Sequence, residues 1–208
     1  LAVVDGEWVQ VTAVNLVAQT VTLERGLLDT VPAAHAVGAR LWFVDDWRFY
    51  LTPEYVQHEV AQVKLLPRTP KGTFAEAAAT ELNLTLVKRF IRPYCPGNVR
   101  VNGLCYPGVI SGELSVSWAT RNRQSQTAYL ALQTEGSITP EAGQTTTVRL
   151  FNENGGLVKT LVGLTSTSVT WTLAEEASDS GLSRIEIEAE RGGHVSWQKQ
   201  VIEFDRAG

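Results

Sequence analysis

The chain has 208 residues and a formal net charge of −4, with 44 % hydrophobic and 19 % charged residues. This length accommodates one large or two ordinary domains, and the composition is typical of a globular protein. Lys and Arg form no basic cluster, which argues against nucleic acid as a partner. No apolar run approaches the roughly 20 residues that a membrane-spanning helix needs. The chain has no methionine and begins with Leu1, so we expect either a processed chain or a segment of a longer polypeptide, and we favour the segment.

Residues 1–92 are predicted to form a small β-rich domain with one or two short helices. Alternating apolar and polar residues predict strands at 8–14, 20–26, 41–44, 61–65 and 82–86. Thr30, Pro32 and Gly38 suit the start and end of one or two helical turns. Thr73 and Glu76 have capping-box spacing, which indicates a short helix or an ordered loop.

Residues 93–97 are predicted to be a short, stiff linker, because they contain two prolines and a glycine. From residue 98 to residue 208 the pattern predicts an antiparallel β-sandwich. Its clearest strand is 113–119, in which Leu114, Val116 and Trp118 alternate with polar residues. The other predicted strands are 98–102, 146–152, 157–162, 168–172, 183–191 and 195–204.

Cys95 and Cys105 are the only cysteines of the chain. The ten-residue step between them contains a predicted strand, and ten extended residues cover about 30 Å. The Cα atoms of a disulfide lie only about 5.5–6 Å apart. We therefore expect two free thiols, so that disulfides do not indicate a cellular compartment.

Four motifs in the second half of the chain resemble those of fibronectin type III domains. They are Pro-Gly-Asn-Val at 96–99, Leu-Ser-Val-Ser-Trp at 114–118, Gly-Leu-Thr at 163–165 and Ile-Glu-Ala-Glu-Arg at 187–191. The resemblance covers about half of the chain and implies a fibronectin type III-like β-sandwich. One departure from the family pattern is the segment from Thr120 to Gln144, which is longer than the usual connection and is expected to project as a lobe.

The first half of the chain adds a second resemblance. Residues 23–30, then His35, Gly38 and 41–43, are similar to a segment of tail-tip or baseplate hub proteins of tailed bacteriophages and prophages. In those proteins a β domain runs through an Arg-Pro-Tyr-x-Pro-Gly-Asn-Val junction into a fibronectin-like domain, and residues 92–99 fit that junction. The resemblance implies a virion tail-tip protein, made in the bacterial cytoplasm, that contacts other tail proteins and forms a homo-oligomer, with a trimer suspected.

Two groups of residues are candidates for binding surfaces. Tyr129, Leu130 and Leu132 form an apolar patch within the otherwise polar segment 121–135, which predicts an interface with a neighbouring subunit or domain. Trp47 and Tyr50 belong to an aromatic cluster in sequence, and exposed aromatic rings can stack on sugars. Most aromatic residues of a β domain instead lie in the core or at a subunit interface, so sugar stacking is the less favoured interpretation.

Catalytic and metal-binding signatures are absent from the sequence. His35, His58 and His194 lie far apart, and no His, Cys, Asp or Glu residues have the spacing of metal ligands. His35 is expected to bond to backbone in its own turn. No nucleophile elbow, phosphate loop or dinucleotide fingerprint occurs. We therefore expect no cofactor and no enzymatic activity.

The sequence favours a structural component of a phage or prophage tail tip that acts as an assembly scaffold through subunit contacts. One alternative is a carbohydrate- or receptor-binding module that contacts a host cell-surface glycan. A third interpretation is an accessory domain of a secreted polysaccharide-degrading enzyme, because fibronectin-like modules also occur there. Fold-level analogy does not separate these functions.

Overall fold

Strands make up nearly all regular structure of this computed structural model, which describes residues 1–44, 56–126, 129–172 and 181–207. The predicted mainly all-β class is confirmed. None of the described helical turns is long and apolar enough to cross a membrane. Two compact units are present: one joins Leu1–Trp47 to Arg92–Gly208, and the other is Arg48–Ile91.

The compact units divide the chain differently from the predicted domains. The sequence predicts that residues 1–92 form one domain, whereas residues 1–47 belong with the C-terminal half. One contact that ties them there is a hydrogen bond of 2.8 Å from the Val31 backbone N–H to the side-chain oxygen of Gln198. The partners are 167 residues apart in sequence, so no local pattern could indicate the contact.

The N-terminal sheet has four antiparallel strands in the order β3-β2-β1-β4. Their ranges are Ala2–Val4 (β1), Glu7–Asn15 (β2), Thr20–Glu24 (β3) and Leu41–Phe43 (β4). Ala2, Val4 and Val9 form a small buried cluster on one face of this sheet. The predicted hairpin is therefore present as β2 and β3, and β1 adds a central strand that is too short to show alternation in the sequence.

The predicted β-sandwich is formed by two antiparallel sheets. One has the order β14-β11-β9, and the other has the order β13-β12-β15 with β17 beside β15. Three short strands complete this part of the fold: β16 pairs with β15, and β10 pairs with β18. The ranges are Gly97–Val101 (β9), Val109–Ile110 (β10), Leu114–Ala119 (β11), Thr145–Asn152 (β12), Leu157–Leu164 (β13), Ser168–Trp171 (β14), Leu182–Arg191 (β15), His194–Val195 (β16), Gln200–Glu203 (β17) and Asp205–Arg206 (β18).

The two sheets bury one continuous apolar core between them. Leu114, Val116 and Trp118 of β11 contribute to it from one sheet, as their alternation predicts. Burial of each such side chain contributes roughly 1.5–3 kcal/mol, and this core is the main stabilising feature of the unit. The members from the other sheet include Val148, Leu150, Ile185, Ile187 and Ile202.

Arg121 holds the long segment between β11 and β12 against the sandwich. It is 4 % exposed, and its guanidinium donates five hydrogen bonds to backbone carbonyls at 2.8–3.3 Å. The guanidinium lies against Gly97, at the end of the predicted linker. In that linker Pro93 and Pro96 are fully buried and Cys95 is 5 % exposed. The segment is therefore packed within its unit and is not an exposed connector. The five carbonyls belong to Thr120, Leu132, Gln133, Glu135 and Gly136.

The second unit contains two small two-stranded sheets. Strands β5 (Val60–Lys64) and β8 (Glu81–Thr85) pair antiparallel without a register shift, and β6 (Arg68–Thr69) and β7 (Gly72–Thr73) form a short hairpin between them. We call the β5-β8 pair the ribbon. Of the described residues from 56 to 91, none is buried.

The predicted helical turns at 28–38 do not form, although the structure describes every residue of that range. The Thr30 hydroxyl, which could have capped a helix, donates to the Leu27 carbonyl and accepts from the Trp8 backbone N–H. These bonds fasten the segment to β2 instead. In residues 56–91 the helical structure is limited to the 3-10 turns Glu76–Ala78 and Arg89–Ile91, and the first has no side-chain cap.

Replacement of Gly97 by alanine is expected to destabilise the protein by about 1–3 kcal/mol, because the added methyl group would overlap the Arg121 guanidinium. Five carbonyl bonds prevent that group from moving aside. Urea unfolding at equilibrium measures the effect. Gly108→Ala is the matched control, because nothing lies within 4 Å of its added methyl group, and it should change stability by less than about 0.5 kcal/mol. Equal stability of the two variants would contradict this account of Arg121.

Candidate interaction surfaces

The Glu7 carboxylate, which is 2 % exposed, is densely hydrogen-bonded. It accepts hydrogen bonds from Arg25 Nε and Nη2 at 2.7 and 2.6 Å, and from the backbone N–H groups of Gly26 and Ala33 at 2.9 and 3.0 Å. His35 Nε2 lies 2.8 Å from the same carboxylate. Five donors saturate its two oxygens, which favours a structural role for this group.

His35 contacts carboxylates and not the backbone of its turn, so the predicted backbone bond is wrong. Its Nδ1 lies 3.1 Å from Asp5 Oδ2, while its Nε2 faces Glu7. A carboxylate only accepts hydrogen bonds, so only the doubly protonated ring donates to both. No local sequence pattern indicates this arrangement, because the residues come from the β1-β2 turn and from the segment after β3, which meet only in the fold.

Two opposing effects act on the pKa of Glu7. Burial acts to raise it, and the hydrogen bonds from Arg25, Ala33, His35 and Gly26 together outweigh burial, so the pKa lies below its ordinary value. A lowered pKa in the folded state means that the ionised carboxylate stabilises the fold. That contribution is complete above the ordinary value of 4.5 and is lost as the pH falls through the folded-state pKa.

Cys95 and Cys105 are free thiols, as predicted. Cys95 is buried, and burial raises its pKa to about 12. Its thiol is therefore protonated at neutral pH and is unsuited to nucleophilic attack. Cys105 is partly exposed.

His58 and His194 belong to different compact units of the described structure. His58 is exposed in the turn before β5, and His194 begins β16. Across the ranges that the structure describes, no three His, Cys, Asp or Glu side chains form a group that could hold a metal ion.

The predicted interface residues lie within the segment that Arg121 holds. Tyr129 is 58 % exposed and its hydroxyl donates to the Glu135 carboxylate, while Leu130 and Leu132 are half-buried. Ala131, between the two leucines, is buried. The apolar residues of this segment thus pack partly on their own unit, and Tyr129 is the member that offers most of its surface.

The ribbon presents an apolar face that no described residue covers completely. The pairs Ala61–Leu84 and Val63–Leu82 lie on one face, and the other face carries Gln62, Asn83, Lys64 and Glu81. Leu82 and Leu84 are 48 % and 53 % exposed. The ribbon is therefore amphipathic, like a sheet that buries one face in a core. Its apolar face, however, is exposed.

An open groove of about 380 Å³ extends this apolar face. Phe74 and Leu65, which are 49 % and 71 % exposed, lie along it together with Leu82. Large apolar side chains thus line both the ribbon face and the groove. Contiguous apolar surface of this kind commonly marks an interaction site. The remaining lining residues are Pro67, Ala78, Ala79 and Thr80.

A second exposed surface lies on the N-terminal sheet. Trp8, Val3 and Trp42 are neighbours in register across β2, β1 and β4, so they share one face. Trp42 is 56 % exposed and Trp8 is half-buried. We call these three residues the aromatic row. The predicted sugar-stacking residues Trp47 and Tyr50 lie outside the described residues.

Comparisons with known proteins identify no family for this chain. No family model matches it, and no curated protein matches its sequence.

Replacement of Glu7 by glutamine is expected to lower stability at pH 7 by about 2 kcal/mol or more, because a neutral amide cannot accept all five hydrogen bonds. The variant should also lose less stability than the wild type as the pH falls from 5 to 3, since the titrating group is gone. Urea midpoints measured across this pH range test both effects. Glu113→Gln, at an exposed carboxylate, is the control and should behave as the wild type. An unchanged acid response in the Glu7 variant would contradict the assignment.

Proposed function

We propose that this chain is a structural component that works through subunit contacts, with the apolar face of the ribbon as its principal contact surface. The observation that carries the proposal is the exposure of Leu82 and Leu84 on an otherwise regular amphipathic sheet. A two-stranded sheet is marginally stable at best in water unless its apolar face packs against something. Burial of that face against a second surface supplies the missing stabilisation.

The small size of the second unit supports the same proposal. A unit of about 40 residues usually needs a disulfide, a metal or oligomerisation to remain folded. Both cysteines lie outside Arg48–Ile91, and no metal-binding group occurs among the described residues. Of these three means, association with another surface is the one that the described residues support.

We further propose that the assembly is the tail tip of a phage or prophage particle, and that the contact joins copies of this chain. The support is the resemblance of residues 23–30, His35, Gly38 and 41–43, and of the junction at 92–99, to tail-tip and baseplate hub proteins. Pro93 and Pro96 of the junction motif are fully buried. These residues of the motif are therefore part of the packed structure. The trimer remains an implication of the resemblance.

Replacement of Leu84 by lysine is expected to weaken self-association at least about tenfold, because assembly would bury an unpaired charge. Sedimentation velocity between about 1 μM and 0.1 mM measures the change in mass distribution. Asn83→Lys is the matched control, because it adds the same charge to the neighbouring position on the polar face.

The sandwich core should be unaffected in both variants, and near-ultraviolet circular dichroism checks this. A wild-type chain that stays monomeric over the whole concentration range would contradict self-association. Equal weakening by the two lysine variants would contradict the choice of face.

Carbohydrate binding is the second candidate function, and the aromatic row is the observation that favours it. A partly exposed indole on a sheet face is suited to stacking on the apolar face of a sugar ring. Adjacent strands lie about 4.8 Å apart, so the row extends over roughly 10 Å from β2 to β4. The row could therefore contact more than one sugar of an extended glycan.

Replacement of Trp42 by alanine is expected to weaken glycan binding by up to about tenfold, since a ring contact contributes roughly 0.5–1.5 kcal/mol. Binding to an array of bacterial cell-wall and capsular glycans measures the effect. Phe43→Ala is the matched control, because Phe43 is 52 % exposed on the opposite face of the same strand. Absence of glycan binding by the wild type, or equal loss in both variants, would exclude this surface as a sugar site.

A further inference from the structure

We propose that a cleft beside β17 binds an extended peptide segment of another protein, which adds as a strand to the free edge of β17. The cleft has a volume of about 210 Å³ and lies in the unit that contains the sandwich. Residues 200–203 form one side of it, and Asn98 and Val99 of β9 form another. The remaining lining residues are Pro32, Cys105, Tyr106, Pro107, Gln133 and Thr134.

The hydrogen-bond pattern of β17 shows which backbone groups are free. The Phe204 N–H donates to the Ser183 carbonyl, so in the antiparallel pairing with β15 the even-numbered residues of β17 bond inward. The backbone groups of Val201 and Glu203 therefore point away from β15. Neither has a backbone partner within the described parts of the chain.

The next strand along the chain, β18, is paired on the side of the backbone that is free in β17. Immediately downstream, β18 pairs with β10 in parallel, and the Asp205 N–H donates to the Gly108 carbonyl at 2.9 Å. That pairing uses the same side of the chain as Val201 and Glu203. An incoming peptide would occupy beside β17 the lateral position that β10 occupies beside β18.

The chemistry of the cleft favours a peptide of mainly uncharged residues. Glu203 is the one charged residue among those that line it. The free N–H and carbonyl groups recur every second residue, about 7 Å apart, which is the repeat of another β-strand.

Replacement of Val201 by proline tests the strand addition directly. It removes the N–H that faces the cleft and leaves the inward bonds of Ile202 to β15 in place. A library of random uncharged decapeptides is selected on the immobilised wild-type chain, and the selected peptides are measured against the variants. We expect them to bind the proline variant at least about tenfold more weakly. Val201→Ala, which keeps the N–H, should bind them as the wild type does.

Amide hydrogen exchange of the wild-type chain provides a second test that needs no variant. A bound peptide should slow exchange at Val201 and Glu203 at least tenfold, with little change at Ile202, which already bonds to β15. Selection of no peptide, equal binding by the proline variant, or unchanged exchange at both amides would overturn the proposal. These outcomes are distinct from those for the ribbon, because self-association and peptide binding are measured separately.

Discussion

The apolar face of a β-sheet has to be covered, and the two compact units meet this requirement to different extents. In the sandwich, two sheets cover each other, and Leu114, Val116, Ile185 and Ile187 are all at most 1 % exposed. The ribbon has the same alternation of apolar and polar residues but only two strands. Within the described part of its own unit, the other sheet is the short β6-β7 hairpin, so the same pattern that produces a core in one unit leaves an exposed apolar face in the other.

Two buried charged groups of the sandwich unit, Glu7 and Arg121, are held by dense bonding, which limits what they can do. Glu7 has five donors, and Arg121 has five backbone carbonyls. An ionised group with all its positions filled has little capacity left for a ligand or a proton transfer, whereas removal of one partner would leave an expensive unpaired charge. Both groups instead fasten irregular segments, the turns around Gly26 and Ala33 and the long connection before β12.

The sequence predicted the strands wherever alternation extends over five or more residues, as in β2, β11, β12 and β15. It did not predict β1, β6, β7, β10 or β18, because two or three residues contain too little periodicity to recognise. The single strand predicted at 195–204 is wrong, since that range contains the end of β16 and a separate strand β17. The helical turns at 28–38 were predicted wrongly because Thr30 bonds to strand residues, and tertiary bonding overrides a local capping preference. The sequence predicted both strands of the ribbon. It did not predict that their apolar face is exposed, because exposure depends on which other segments pack nearby.

The candidate contact sites rely on different physical interactions. The ribbon offers apolar side chains, whose burial favours association without fixing a direction, whereas the edge of β17 offers backbone groups that require an aligned strand. Edge strands usually resist such pairing through bulges or charges. The pairing of β13 with β12 has two register shifts, while that of β17 with β15 has none. Of these two edges of the five-stranded sheet, β17 is therefore the more regular template, and the cleft lies beside it.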